Sequence, residues 1–145
     1  MPILDRRNNQ FIEDKDTRVS VGLDFPIARV PNQDGYFKTT KTTVDSIKNN
    51  IKLLLQTQRG ERVFQPNLGM NLRRFLFEQV TVDTEIEIQN DIVDAFQIWL
   101  PFVDVRDIEV NIDSENTNMN KIIINILFSI TRAPNTLESV GVTLE

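Results

Sequence analysis

Apolar positions recur along this chain with two different periods, and the period changes at Pro101. Ahead of it, Val19, Val21 and Leu23 alternate with Ser20 and Gly22, which predicts a short strand ending at Phe25-Pro26. Pro31-Asn32-Gln33-Asp34-Gly35 has the residue types of a turn. Thr42 or Thr43 can then cap a helix on which Val44, Ile47, Ile51, Leu54 and Leu55 share one face. Lys48, Asn49, Asn50 and Lys52 form its wet face, Arg59 falls in its last turn, and Gly60 stands at its C-terminal cap. After a loop from Gly60 to Gly69, a short helix is predicted from about Met70 to Glu78, with Leu72, Phe75 and Leu76 on one side. A third helix runs from about Glu85 to Leu100, opened by a Thr84–Glu87 capping box and striped by Ile88, Ile92, Ala95, Phe96 and Trp99. Pro101 forbids its continuation.

Beyond Pro101 the apolar residues alternate. Val103 and Val105, then Ile108, Val110 and Ile112, give a strand whose parity slips at Arg106-Asp107, the mark of a bulge or a late start. Asp113 to Asn120 is polar and loop-like. Ile122, Ile124, Ile126, Phe128 and Ile130 alternate over a second long strand, and the two read as an antiparallel hairpin. Past Ala133-Pro134-Asn135, Val140, Val142 and Leu144 predict a last, edge strand. The expected class is α+β, with three helices packed on a small, mostly antiparallel sheet that carries a C-terminal hairpin and edge strand. A chain cut after Asn135 is expected to fold, since the helices and hairpin would remain.

Length and composition fit this picture. The chain has 145 residues, 40% hydrophobic and 26% charged, enough for one domain over 17–145 with residues 103–145 as its C-terminal strands. Residues 1–16 are mostly polar and read as a flexible or partner-ordered arm. With 0 Cys and 0 His, there is no disulfide, thiolate nucleophile, His-based triad or His-based zinc site. Sixteen Lys+Arg against 21 Asp+Glu leave a net charge of -5, which argues against a nucleic-acid partner. No apolar run is long enough to span a membrane, and MPILDRRNNQ lacks the apolar stretch of a signal peptide, so an intracellular protein is expected.

One stretch carries more information than the rest. Gly60-Glu61-Arg62-Val63-Phe64-Gln65-Pro66-Asn67-Leu68-Gly69 is preceded by Leu53-Leu54-Leu55-Gln56-Thr57 and followed by Leu72 and Phe75-Leu76-Phe77-Glu78. Together these resemble the signature of the baseplate wedge, or sheath-initiator, family of contractile-tailed phages, which has a related component in type VI secretion baseplates. In that family an amphipathic helix ends in a T-x-x-G-E-R turn, then comes a P-x-x-G step, then a short helix closing with L-F-E. Thr57 to Arg62, Pro66 to Gly69 and Leu76 to Glu78 match those elements, and the likeness extends from Thr40 to Thr131. Asn67-Leu68 departs from it, where an acidic and an aromatic residue are frequent. The resemblance implies a structural virion protein of the tail baseplate, assembled in the host cytoplasm, without a cofactor. Its partners would be other wedge subunits, tail sheath subunits and, further, tail tube or hub proteins. The family's Glu, Arg and Pro core carries over to Glu61, Arg62 and Pro66, implied to dock on the central helical bundle of the wedge. The C-terminal strands are implied to mimic those of the sheath subunit, so that the first sheath ring adds by strand augmentation. That places Val140, Val142 and Leu144 among the partner-binding residues.

The residue chemistry allows two readings of the loop. Arg62 offers a donor fork suited to a carboxylate, Pro66 and Gly69 shape the backbone, and Val63 and Phe64 can serve as apolar anchors. Alternatively, Glu61 and Arg62 fold over the helix end while Phe64 joins the core. Arg73-Arg74 beside Phe75 reads as a solvated helix face, and Trp99 as core. The competing class is a lysozyme-like glycoside hydrolase acting on peptidoglycan. That chemistry needs paired carboxylates about 5–9.5 Å apart across a sugar cleft. Glu61, Glu78 and Asp83 are the nearest candidates, but none sits in a catalytic motif, so no catalytic, cofactor or metal residue is expected. A third class is an adaptor that binds a regulator.

Overall fold

The structure, a computed structural model, describes residues 14, 16, 18–30, 36–78, 81–113 and 121–144. Most of the arm over 1–16, the turn over 31–35 and the loop over 114–120 lie outside the described residues. In chain order the elements are β1 (Gly22–Leu23), β2 (Thr39–Thr40), α1 (Thr43–Gln56), a 3-10 helix (Leu72–Phe77), α2 (Val82–Trp99), β3 (Val103–Asp113), β4 (Lys121–Ile130) and β5 (Ala133–Leu144). The protein is α+β, as the change of period predicts. None of the described helices is long and apolar enough to cross a membrane. Contacts gather the chain into two compact units, Met1–Asn50 and Ile51–Glu145.

In the first unit β1 pairs antiparallel with β2, Gly22 opposite Thr40 and Leu23 opposite Thr39. The strand expected over 19–23 is thus reduced to two residues, and its partner at Thr39–Thr40 has too short a pattern to read from sequence. Gly22 leaves room for the Ser46 hydroxyl, which a Cβ would meet at 2.7 Å and push aside. Thr42 caps α1: its hydroxyl accepts the Asp45 N–H at 3.2 Å and bonds the Asp45 carboxylate at 2.6 Å. Asn49, expected on the wet face, is buried instead and donates to the Leu23 carbonyl and the Asp24 carboxylate. Lys38, 2.6 Å from Asp24, and the Asn49 amide hold that carboxyl below its ordinary value, and Asp24 in turn raises Lys38.

The second unit holds the three-stranded sheet, in the order β3-β4-β5 and antiparallel throughout. The parity slip at Arg106-Asp107 is a bulge: the β3–β4 register shifts between Val105 and Asp107. A turn at Thr131-Arg132 joins β4 to β5, placing Ala133 opposite Ile130, before the register jumps to Leu137 opposite Ser129. β5 therefore starts well before Val140, and from Leu137 to Leu144 its pairing is unbroken. Ile122, Ile124, Ile126 and Phe128 of β4 are fully buried, and so are Ile88 and Ile92 of α2, which packs on β3. Val140, Val142 and Leu144 complete this core. Each such side chain contributes about 1.5–3 kcal/mol when buried, so a chain cut after Asn135 would forfeit a large share of a typical stability and is not expected to fold.

Helix boundaries differ from the periodic reading in two places. α1 stops at Gln56, so Gly60 lies beyond the helix and serves the loop rather than the cap. α2 begins at Val82, where Thr81 and Thr84 exchange side-chain and backbone bonds as the capping box. Glu87 is not part of that box. It pairs instead with Arg74, which also lies 3.6 Å from Asp91 and over the Phe75 ring. The predicted short helix is a 3-10 helix with Leu72, Phe75 and Leu76 buried. Trp99 is only half-buried.

Candidate docking surfaces

The loop after α1 is stitched by its own backbone. Thr57 accepts the Met70 N–H at 2.8 Å, and Pro66 accepts the Gly60 N–H at 2.8 Å. Inside that frame the Gln65 N–H bonds the Arg62 carbonyl and the Leu68 N–H bonds the Gln65 carbonyl. Gly60 and Gly69 take φ of 86° and 104°, which glycine adopts readily. At Gly69 the requirement is doubled, because a Cβ would overlap the Thr57 carbonyl.

The loop residues divide by role. Glu61 turns back, its carboxylate accepting the Gln58 N–H at 3.0 Å, so it folds over the helix end. Arg62 and Pro66 are exposed, and Val63 and Phe64 stand out at 88% and 98% exposure. Phe64 therefore does not join the core. Phe77, at 89%, is a third exposed apolar side chain of this region, and sequence reasoning missed it. Its neighbours Phe75 and Leu76 are buried, so the Phe-Leu-Phe run carries no signal that separates them.

The second surface is the outer edge of β5. Which of its backbone groups face outward follows from β3. The Ile108 N–H is bonded to the Asp107 carboxylate at 2.9 Å, and the Ile108 carbonyl accepts the Gln89 side-chain amide at 3.0 Å. In an antiparallel ladder a residue turns both groups to the same side, alternating along the strand. Ile108 thus turns away from β4, and its opposite residue Ile126 turns toward β5 at Val140. Val140, Val142 and Leu144 spend their backbone groups on β4 and their side chains on the core. Leu137, Ser139, Gly141 and Thr143 turn their N–H and C=O outward, and all four residues are exposed. The alternation in sequence marks the inward set, and the outward set is read one residue away.

Two hollows could be considered for chemistry. A groove of about 800 Å³ between α2 and β3 is lined by Gln89, Phe96, Val105, Arg106 and Asp107 among others. A smaller one, of about 260 Å³, is lined by Arg59, Asn71, Arg74, Asp91 and Asp94. Glu61, Glu78 and Asp83 line neither. Among the described residues, no three acidic side chains gather as a metal site would require.

The fold has relatives among known proteins. The baseplate wedge protein gp25 of Enterobacteria phage T4 is 29% identical over 99 residues, 68% of this chain and 73% of that protein. Among solved structures, a protein described as a candidate tail lysozyme from Geobacter sulfurreducens shares the fold at a TM-score of 0.60 and 23% identity, covering 73% of this chain and 93% of its own. A chain of the anti-feeding prophage baseplate superposes at a TM-score of 0.57 and 18% identity, covering 83% of this chain and 81% of its own. At those identities the structural likeness speaks for the fold alone. The family model for the baseplate wedge protein gp25 matches residues 41–135, which include α1, the stitched loop, α2 and the β3–β4 hairpin. With well over half its length matched, the chain belongs to the baseplate wedge protein gp25 family.

Proposed function

We propose that this protein is a non-enzymatic subunit of a contractile-tail baseplate that docks on the wedge bundle through its stitched loop and starts the sheath at β5. The loop supports docking because its backbone is already ordered, so little conformational freedom is lost on binding. Val63 and Phe64 present apolar surface beside the Arg62 donor fork, the composition of an interface anchor.

The edge of β5 carries the sheath reading. Four outward-turned residues lie on an uninterrupted stretch of pairing over 137–144, with Glu138 the only charged residue there. Proteins usually guard such an edge with charges, proline or a bulge. An incoming strand can add to this one by main-chain bonds, leaving the buried Val140, Val142 and Leu144 in place. On this reading wedge subunits meet the loop, sheath subunits meet β5, and the protein resides in the tail baseplate.

Ser139→Pro tests the sheath role. Ser139 turns its N–H outward, so proline there removes a donor the fold does not use and places a ring on the edge. Baseplates are expected to incorporate the variant and to carry tubes without sheath. Normally sheathed tails from a folded Ser139→Pro protein would refute augmentation at β5.

A further inference from the structure

β3 is the other outer strand of the sheet, and its edge differs from that of β5. Its residues Asp104, Arg106, Asp107 and Glu109 are charged, and the bulge between Val105 and Asp107 breaks the line of pairing. Arg106 leaves that bulge to bond the buried Ser129 hydroxyl at 3.1 Å. Just past the bulge, both outward groups of Ile108 are already occupied, the N–H by Asp107 and the carbonyl by Gln89 of α2.

We propose that Gln89 and Asp107 close the β3 edge to incoming strands, so that the sheet accepts a strand on one side only, at β5. The inference rests on the strand-addition reading above and assigns the two side chains a specificity role. Bulk is not what closes the edge, because the adjoining groove has about 800 Å³ of room. Occupancy closes it. A strand bonding to Ile108 would have to displace both side chains and leave a carboxylate and an amide unpaired beside it. Skipping Ile108 and the bulge leaves only Val110 and Ile112 as outward residues of the regular stretch, too few for a stable added strand. The excluded occupants include a second copy of this chain. A sheet open at both edges could propagate sideways into open assemblies, whereas one open edge ends after a single addition.

The test isolates β3 by closing β5. Sedimentation velocity over a range of concentrations would compare full-length Ser139→Pro with Ser139→Pro carrying Gln89→Ala and Asp107→Ala. The first is expected to stay monomeric, and the second to self-associate about tenfold or more tightly. Adding Ile112→Pro, which removes an outward N–H of β3, should reverse that association. If the triple variant fails to fold, Gln89→Ala alone in the Ser139→Pro background should shift association in the same direction, more weakly. A folded triple variant that remains monomeric overturns the proposal. So does association that Ile112→Pro leaves untouched. If wild-type protein takes no sheath strand while the triple variant still associates through β3, the guard stands and only the sheath reading falls.

Discussion

Truncating the most exposed aromatic of the loop separates docking from folding. Phe64 is 98% exposed, so Phe64→Ala removes almost no contact on which the folded chain depends. Its melting temperature should move by less than about 1 °C. Phe75, fully buried in the 3-10 helix that follows the loop, supplies the contrast. Phe75→Ala should cost about 3–5 kcal/mol, which for a chain of this size lowers the melting temperature by roughly 6–20 °C. At the interface the order inverts. Burying a phenylalanine side chain contributes about 1.5–3 kcal/mol, so its loss should weaken binding roughly 10- to 140-fold. Calorimetric melting of the two variants, with titration against purified wedge-bundle subunits, reads both quantities. Unaltered affinity for a folded Phe64→Ala protein would refute the anchor role, and a fall of several degrees in its melting temperature would place Phe64 in the fold.

Two further expectations concern the loop frame and the first unit. Gly69→Ala must bear both a left-handed φ and overlap with the Thr57 carbonyl, a strain of about 1–3 kcal/mol, whereas Gly60→Ala meets open space; thermal melts should rank Gly69→Ala as the more damaging. In the first unit, the depressed Asp24 carboxyl contributes stability that is fully present above its ordinary value of 3.8 and lost as pH falls through the folded value. The protection of the Val21 and Asp24 amides against hydrogen exchange, taken relative to the intrinsic rate at each pH, should fall over that acid range in wild type and show a flatter profile in Asp24→Asn, and identical profiles would count against the Lys38 and Asn49 contacts as the cause.

Long, regularly patterned elements were legible in the sequence. The apolar stripes of α1 and α2, the slip at Arg106-Asp107 and the alternation of β4 follow from local periodicity alone, because each buries one face. The two-residue strands β1 and β2 are too short to hold a period. The sequence pattern sets the start of α2 too late because Glu87 stands at a capping spacing from Thr84 yet pairs with Arg74 instead. Asn49 on the expected wet face is buried for a similar reason, since its partners Leu23 and Asp24 lie 26 and 25 residues earlier. For the stretch after α1, residue types mark Gly60 to Gly69 as a loop, but whether Phe64 points inward or outward depends on the Gly60–Pro66 and Thr57–Met70 stitches. For β5, alternation marks the buried residues, while the groups open to a partner belong to the polar residues between them.

The turn at Thr131-Arg132 also has a kinetic consequence. Closing a short connection forfeits less chain entropy than closing a long one, and the link from β4 to β5 is far shorter than that from Asp113 to Lys121. The difference is roughly 1 kcal/mol in favour of β4 meeting β5 before β3. Low sequence separation between partners also favours early pairing during folding. The hairpin that presents the open edge is then an early structure of the refolding chain, and β3, with its guarded edge, arrives later to cover the other side of β4.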